Sequence, residues 1–422
     1  MVMVFFILLN YGDFLLTKIG CFRLTLFGDF LLTLTVALIQ ERKAVIMITC
    51  FIGIDAHTTN YTLSTAIDAE DKPFNTCKYA PKLTYILKYA NALCKKYNLK
   101  KEDILLGYEA GCLGFKLQRD LNENGFNCVV MAPSTIPGTA INRRKKTKND
   151  IRDAEAIAKA LRNDDYSSVA TPDEEDEAIR EFIRAREDVR MELKRCKQLI
   201  MAFCNRHGQH YEETGWTQKH MKWLNNLAFS QPVLKETLNS LLLEYEYLTE
   251  KLEEKDRRIE EFAQMDKYRE SVHKLTCFKG IKTLTALAVI VEIGDFARFM
   301  KAKNFVAYLG LSVGEQSSGN DHNQTGITKQ GNRFIRKLLT EAAQCFSRAT
   351  SKKSKELKKR QEGNVEEVIA YADKANERLR KRYHHLVIHN MKSPNKAKCA
   401  ITRELACFIW GMMTDNIHTV LV

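Results

Sequence analysis

The sequence predicts an α/β domain followed by a chain that is almost entirely helical. Between residues 47 and 165, short β-branched runs alternate with stretches in which apolar residues recur at helical spacing. From residue 166 to 274, apolar residues follow heptads in a charge-dense background, which is typical of a long helical hairpin or coiled-coil arm. Residues 275–350 form a second compact, mostly helical unit, and residues 351–422 form a basic helical C-terminal region.

Composition limits the class of protein and the kind of partner. The chain has 422 residues and a formal net charge of +13, which is enough length for two or three domains. A protein with this much positive charge usually binds a polyanion, and nucleic acid is the first candidate. The alternative is a generally basic surface without such a partner. The twelve cysteines are scattered without a CxxC pair, which favours reduced thiols in a cytoplasmic protein.

Residues 1–46 differ from the rest because they are apolar but repeatedly interrupted by charge. Asp13, Lys18, Arg23 and Asp29 break the run before it reaches the length of a spanning helix. The segment also lacks a charged start and a small-residue cleavage site, as a signal peptide would have. We expect it to be translated upstream sequence, with the native start at Met47 and no membrane partner. The alternative is a membrane-associating leader.

Strand and helix patterns follow one another in a recognisable order after residue 47. Strands are predicted at residues 48–54, 61–67, 72–78, 104–108 and 128–131. Helices are predicted at residues 83–93 and 113–121, the latter closed by Asn124-Gly125, and again from Asp150. Three strands, helix, strand, helix, strand, helix is the order of a ribonuclease-H-like α/β domain.

Four acidic residues fall where such a domain could bind metal. Asp55 and Glu109 each end a predicted strand, and strand ends share one edge of an open sheet. Asp150 and Asp153 lie three apart and therefore share one face of the helix that follows. Four oxygen ligands at one edge suit two Mg²⁺ ions that clamp a phosphodiester. The alternative for the helical pair is a solvated helix start, where Asp is favoured in any case.

Positive charge precedes this acidic helix and suggests that a phosphate backbone passes there. The cations concerned are Arg143, Arg144, Lys145, Lys146 and Lys148. A phosphate loop of the sugar-kinase type is a second interpretation of GIDAHTTN at residues 53–60. Such loops need glycine after the acid, whereas Ala56 and His57 stand there, so the nuclease-like interpretation is favoured.

Two patterns in residues 275–350 suggest contact with phosphate. Gly280 lies in a turn between helical stretches, as in a helix-hairpin-helix. Further on, Ser317-Ser318-Gly319 lies in a polar, glycine-rich loop, and an amphipathic helix follows. This loop is either an ordinary flexible connection or a serine nucleophile beside phosphate-binding cations. The cations are Lys329, Arg333 and Arg336.

Taken in order, the motifs resemble those of the insertion-sequence-110 family of transposases. The motifs are GIDAH, GYEAG, APxxIPG, KTKNDIRDA, FKGI, YLGL, SSG and ITKQGNRFIR, and they extend over residues 47–344. The resemblance implies a RuvC-like domain, named for Holliday-junction resolvases, joined to a serine-bearing domain. It also implies recombination guided by a structured bridge RNA. Thr58 departs from the family pattern, in which a lysine is usual.

The resemblance also implies roles for individual residues. The carboxylates Asp55, Glu109, Asp150 and Asp153 would bind Mg²⁺, and Ser318 would attack a DNA phosphate, with the adjacent Ser317 as the alternative nucleophile. Subunits of a dimer or tetramer would share the active site. Two alternative functions remain: a metal-dependent nuclease or junction resolvase that uses water, and a non-catalytic nucleic-acid-binding protein.

Overall fold

A computed structural model describes residues 49–68, 73–137, 149–315, 324–348 and 352–418, together with residues 10–11 and 14–15. The chain divides into two compact units, Met1–Thr171 and Pro172–Val422. The expectation of an upstream-derived leader therefore falls almost entirely outside the described residues. The domain boundaries expected within each unit stay predictions.

A five-stranded mixed sheet forms the centre of the first unit. The strands are β1 (Cys50–Ala56), β2 (Tyr61–Ile67), β3 (Phe74–Tyr79), β4 (Ile104–Glu109) and β5 (Asn127–Met131). Their order across the sheet is β3-β2-β1-β4-β5, with β1, β2 and β3 antiparallel and β1, β4 and β5 parallel. This topology confirms the predicted ribonuclease-H-like fold. Each strand lies within three residues of its predicted range.

Helices cover both faces of the sheet. Helices α1 (Leu83–Tyr97) and α2 (Lys116–Glu123) pack on one face against residues such as Ile54 and Leu106. The second helix ends at the predicted turn, where Gly125 has a φ of +82° that favours glycine. Among the helices that the structure describes, α3 (Asp150–Arg162) covers the other face through its apolar stripe. Since both faces are covered, the central strands are buried almost throughout.

Helix α3 approaches the sheet unusually closely at Gly53. A Cβ atom at this position would lie 2.3 Å from the carbonyl oxygen of Ala154 and 2.4 Å from the amide nitrogen of Ala158. Both atoms are backbone, so no rotamer change could make room for a larger side chain. The glycine therefore fixes the height of α3 above β1, and with it the position of the acidic first turn.

The second unit is largely helical, as predicted. Its helices are α4 (Glu174–Arg206), α5 (Gln218–Asn226), α6 (Pro232–Ala263), α7 (Asp266–Leu275), α8 (Thr283–Ile293), α9 (Ala302–Tyr308), α10 (Arg333–Ala343), α11 (Lys355–Gln361), α12 (Glu366–His384) and α13 (Pro394–Met413). One short hairpin of β6 (Val313–Glu315) and β7 (Gln324–Ile327) interrupts them. This hairpin was not predicted, because its sequence is polar and rich in glycine and gives no strand alternation.

The long helices α4 and α6 form the arm and pack against each other within one chain. Leu193 and Ile200 of α4 share a core with Leu238 and Leu242 of α6. The heptads alone left open whether the arm would pack on itself or on a second copy. In the structure, much of the apolar face of each arm helix packs against the other helix of the same chain.

Beyond the arm, residues from α7 to α13 and the base of the arm share one large apolar core. Two carboxylates at its edge, Glu187 and Glu292, are paired. Burial raises the pKa of Glu187, but hydrogen bonds from Arg190 and Lys337 outweigh that effect and lower the pKa to about 2. Arg184 binds the buried carboxylate Glu292 through two hydrogen bonds of 2.9 and 3.1 Å. Such paired charges fix the arm on the core.

Two general features follow from the described part of the chain. Within it, no helix combines the length and the apolar character that a membrane crossing requires. The cysteines there, from Cys50 to Cys407, are free thiols, as the scattered spacing led us to expect.

Candidate metal centre

Strand register places four polar or charged side chains in one row across the sheet. Asp55 pairs with Thr62, and Thr62 pairs with Lys78 on the edge strand. On the other side Ile54 pairs with Tyr108, so Glu109 comes next to Asp55. Paired residues in neighbouring strands point to the same face of a sheet. The row therefore consists of Glu109, Asp55, Thr62 and Lys78.

This row lies on the face that α3 covers. Gly53 and Gly107 both face α3, since a Cβ atom on either would meet that helix. Asp55 and Glu109 each follow one of these glycines by two residues and so point to the same side. The predicted strand-end carboxylates thus share both an edge and a face with the acidic helix.

The first turn of α3 carries the other two predicted carboxylates. Asn149 caps the helix through its side-chain oxygen, which accepts a hydrogen bond from the amide of Ile151. Asp150 follows at the helix start with 28% of its side chain exposed. Asp153 lies one turn further in and is buried, at 5% exposure. A rigid, capped helix start therefore holds these two carboxylates at fixed positions.

Three ligand atoms converge where the row meets the helix. One atom each from Asp55, His57 and Asp150 lie within 4.8 Å of one another. His57 Nε2 is 3.2 Å from Asp55 Oδ2 and 3.8 Å from Asp150 Oδ1. Lys78 Nζ donates a hydrogen bond of 3.1 Å to Asp150 Oδ2. Glu109 and Asp153 are outside this tight group, although they flank it in the sheet and on the helix.

The donor set of this centre fits a divalent cation. Two carboxylates meet in a largely shielded place, since only 12% of the Asp55 side chain is exposed. His57 Nε2 is shielded from solvent and makes no well-aligned hydrogen bond within the described residues, although it points toward both carboxylates. A metal ion would satisfy that nitrogen and offset the two negative charges.

Sequence reasoning missed His57 as a residue of this centre. It stands two residues after Asp55, and its imidazole was interpreted only as an obstacle to a phosphate loop. A histidine directly beyond a strand-end carboxylate is a signal that could have suggested it. Lys78 was missed because its partner Asp150 is 72 residues away in sequence.

The remaining predicted site residues divide between described and undescribed parts of the chain. The cations Arg143, Arg144, Lys145, Lys146 and Lys148, and the serines Ser317 and Ser318, lie outside the described residues. Lys329 and Arg333 are exposed at the start of α10. Arg336 is partly buried and donates hydrogen bonds to the backbone oxygens of Leu309 and Gln330, at 2.7 and 3.3 Å.

Two glycines hold the loop before α10 in place. Gly310 and Gly331 have positive φ angles of +65° and +80°. A Cβ on Gly310 would lie 1.8 Å from the Gln330 oxygen, and one on Gly331 would lie 1.9 Å from the Tyr308 oxygen. The YLGL and TKQGN motifs are therefore packed backbone against backbone. This contact fixes the loop that carries Lys329.

Comparison with known proteins gives the family. A family profile described as "Transposase IS116/IS110/IS902 family" matches residues 272–359, and a second transposase profile, for DEDD proteins of the IS110 type, matches residues 52–206. The chain is 34% identical over 301 residues to a transposase for insertion sequence element IS1533 from Leptospira borgpetersenii, a match that covers 69% of this chain and 84% of that protein. It is 32% identical over 326 residues to a putative transposase, y4qE, from Sinorhizobium fredii, which covers 77% of this chain and 79% of that protein. The chain therefore belongs to the IS110 family of transposases, with a DEDD domain at its N-terminal side and the second family domain after the arm.

Proposed function

We propose that this transposase cuts and rejoins DNA by serine attack on a DNA phosphate beside a Mg²⁺ centre. The observation that carries the proposal is the convergence of Asp55, His57 and Asp150 at the sheet edge of a DEDD domain. Chemistry on a phosphodiester needs the negative charge of its oxygens to be offset as the transition state forms. A shielded site with a surplus of carboxylates suits that purpose when it holds a cation.

The residues that would hold the metal are the carboxylates Asp55, Glu109, Asp150 and Asp153, with His57 Nε2 as a nitrogen ligand beside Asp55 and Asp150. Carboxylate oxygens are the ligands that Mg²⁺ prefers, and all four side chains lie on the strand ends or the helix start around the centre. When bound, Mg²⁺ would supply the positive charge that a phosphate needs at this edge. Lys78 would keep Asp150 in position through its hydrogen bond. The basic segment that contains residues 143–146 and Lys148 would hold the DNA backbone.

The proposed nucleophile is Ser318. Its Oγ would form a bond to phosphorus while a DNA oxygen leaves and becomes a hydroxyl, which gives a covalent phosphoserine link. Gly319 lacks a side chain and would let the phosphate approach. The exposed cations Lys329 and Arg333 would bind that phosphate. Arg336 would contribute mainly by holding the loop, since its guanidinium donates to two backbone oxygens.

We further propose a guide and an assembly. The motif order supports a structured bridge RNA as the guide, and the net charge of +13 suits a chain that binds both DNA and RNA. The same motif order supports a homo-oligomer, a dimer or tetramer in which one subunit's serine serves another's metal centre. Purification of the protein from its own host, followed by sequencing of the bound RNA, tests the guide.

A metal-dependent nuclease that uses water is the second candidate. One observation favours it: the candidate metal centre is formed wholly by residues of the first unit. Hydrolysis at such a centre would need no residue from the serine-bearing region. In that case, strand cleavage would leave no protein on the DNA.

A trapping assay with labelled DNA, run on a denaturing gel, separates these candidates. Under the proposal, wild-type protein and the Ser317→Ala variant form a covalent adduct, whereas Ser318→Ala binds DNA normally and forms none. If the adduct survives in Ser318→Ala and disappears in Ser317→Ala, the nucleophile is the neighbouring serine. If the wild type cleaves efficiently without an adduct, the water-using nuclease is correct.

A further inference from the structure

The turn between α7 and α8, residues 276–282, is held by the C-terminal part of the chain. Arg360 Nε donates a hydrogen bond of 3.1 Å to the Thr276 oxygen, and Gln361 Nε2 donates one of 3.3 Å to the Cys277 oxygen. Asn376 accepts a hydrogen bond of 2.8 Å from the Lys279 amide. Hydrogen bonds therefore join the turn directly to the basic helix α11, which is about 80 residues away in sequence.

This arrangement gathers cations from three separate segments. Lys279 and Lys282 come from the turn, Arg348 follows α10, and Arg360 lies in the last turn of α11. Burial raises the pKa of the nearby Cys345 thiol to about 11, while the charges of Lys279, Arg348 and Arg360 act on the same thiol in the opposite direction. The partly buried Cys345 therefore lies near cations of all three segments.

Two carboxylates of this region, Glu356 and Asp373, are already paired. Glu356 contacts both Lys282, at 3.0 Å, and Arg360, at 3.2 Å. Asp373 pairs with Lys353. By contrast, four lysines on and before α11 are exposed and have no ion-pair partner within the described residues. They are Lys352, Lys355, Lys358 and Lys359. We call this group of lysines, together with Lys279, Lys282 and Arg348, the turn surface.

We propose that the turn surface binds the backbone of duplex DNA on one side of the cleavage site. A surface on which cations outnumber carboxylates, and from which Lys352, Lys355, Lys358 and Lys359 project into solvent, is suited to a polyanion. Duplex DNA is the polyanion that a transposase must hold on either side of the phosphate it cuts. The guide RNA is the competing occupant, and binding measurements on both nucleic acids separate the two.

The fold also sets the distance between this surface and the proposed serine site. The turn packs on the C-terminal end of α10, since a Cβ on Gly280 would lie 2.3 Å from the Ala342 oxygen. Arg333, at the other end of α10, belongs to the proposed phosphate site. Ten residues of helix span roughly 15 Å, which equals about four to five base pairs of duplex at 3.4 Å each. The spacing rests on the proposed function, whereas DNA binding at the turn surface does not.

The test compares three variants of the full-length protein on a fluorescent 30-base-pair DNA duplex. The first replaces Lys355, Lys358 and Lys359 with Gln, and the second replaces the same lysines with Arg. The third is a matched control that replaces three exposed cations of the arm region with Gln. Those control residues are Lys194, Arg195 and Lys222. Thermal unfolding of each variant establishes that the fold is retained.

The glutamine variant should bind the duplex at least tenfold more weakly at low salt. Its plot of log affinity against log salt should flatten by about 0.9 for each phosphate that the variant no longer binds. The arginine variant and the arm control should behave as wild type. An unchanged slope, an equal loss in the arm control, or a loss confined to an RNA hairpin of similar length would overturn the proposal. Because no DNA is cut, the outcome is independent of the serine mechanism.

Discussion

Substitution of Gly53 by alanine should disable the metal centre without touching any proposed ligand. The added Cβ would lie 2.3 Å from the Ala154 oxygen and 2.4 Å from the Ala158 nitrogen. Ordinary contacts of this kind begin at 3.4 Å, so α3 must move away from β1 by roughly 1 Å. The first turn of α3 carries Asp150, which would then move relative to Asp55 on the strand. Gly53 thus controls the spacing between the two carboxylates.

The magnitudes follow from that displacement. Overpacking of a tight interface costs about 1–3 kcal/mol of stability, so the variant should still fold but unfold at a lower temperature. Misplacement of catalytic groups by about 1 Å can cost roughly a hundredfold in rate. We therefore expect DNA strand cleavage to fall about a hundredfold and the affinity for divalent metal, measured by calorimetry, to fall with it.

Gly111→Ala is the matched control in the same unit. A Cβ at Gly111 would have the Glu109 oxygen as its nearest neighbour, at an ordinary distance of 3.8 Å. This control should keep both cleavage and metal affinity. If Gly53→Ala cleaves DNA and binds metal like the wild type, α3 does not set the geometry of the centre, and the role assigned to its first turn is wrong.

Three further predictions concern charge. Asp55→Asn, Glu109→Gln and Asp153→Asn should each lower strand exchange roughly a hundredfold or more while circular dichroism stays unchanged, because each keeps its shape but loses a ligand charge; normal activity in the first two would exclude a shared metal site. Replacement of all four cations at residues 143–146 with Gln should flatten the salt dependence of DNA affinity by about 0.9 for each phosphate released, and an unchanged slope would make them a passive surface. Since the pKa of Glu187 is lowered from 4.5 to about 2 in the folded protein, its stabilisation is present above pH 4.5 and is lost as pH falls toward 2. Glu187→Gln should therefore cost on the order of 1–2 kcal/mol at pH 7, after allowance for solvent screening, and almost nothing near pH 2; a pH-independent loss in denaturant unfolding would contradict this origin.

The sequence by itself determined the secondary structure of the first unit and the position of its acids. The residue pattern predicts β2 at Tyr61–Ile67 to the residue, and the polar pair Asn124-Gly125 ends α2 where expected. These are local effects, since burial on one face and backbone propensity act over a few residues. The position of Asp55 and Glu109 at the ends of strands could be predicted from the sequence for the same reason. The motif order was enough to suggest the family that the comparisons show.

Tertiary structure alone decided which distant groups meet. The hydrogen bond between Lys78 and Asp150, and the approach of His57 to the same carboxylate, depend on strand register and on the height of α3 above Gly53. The heptads of the arm are equally compatible with a partner in the same chain or in another copy. Periodicity encodes which face is apolar but not what covers it. Only the folded chain, in which loop connections and packing choose among the possible partners, settles those contacts.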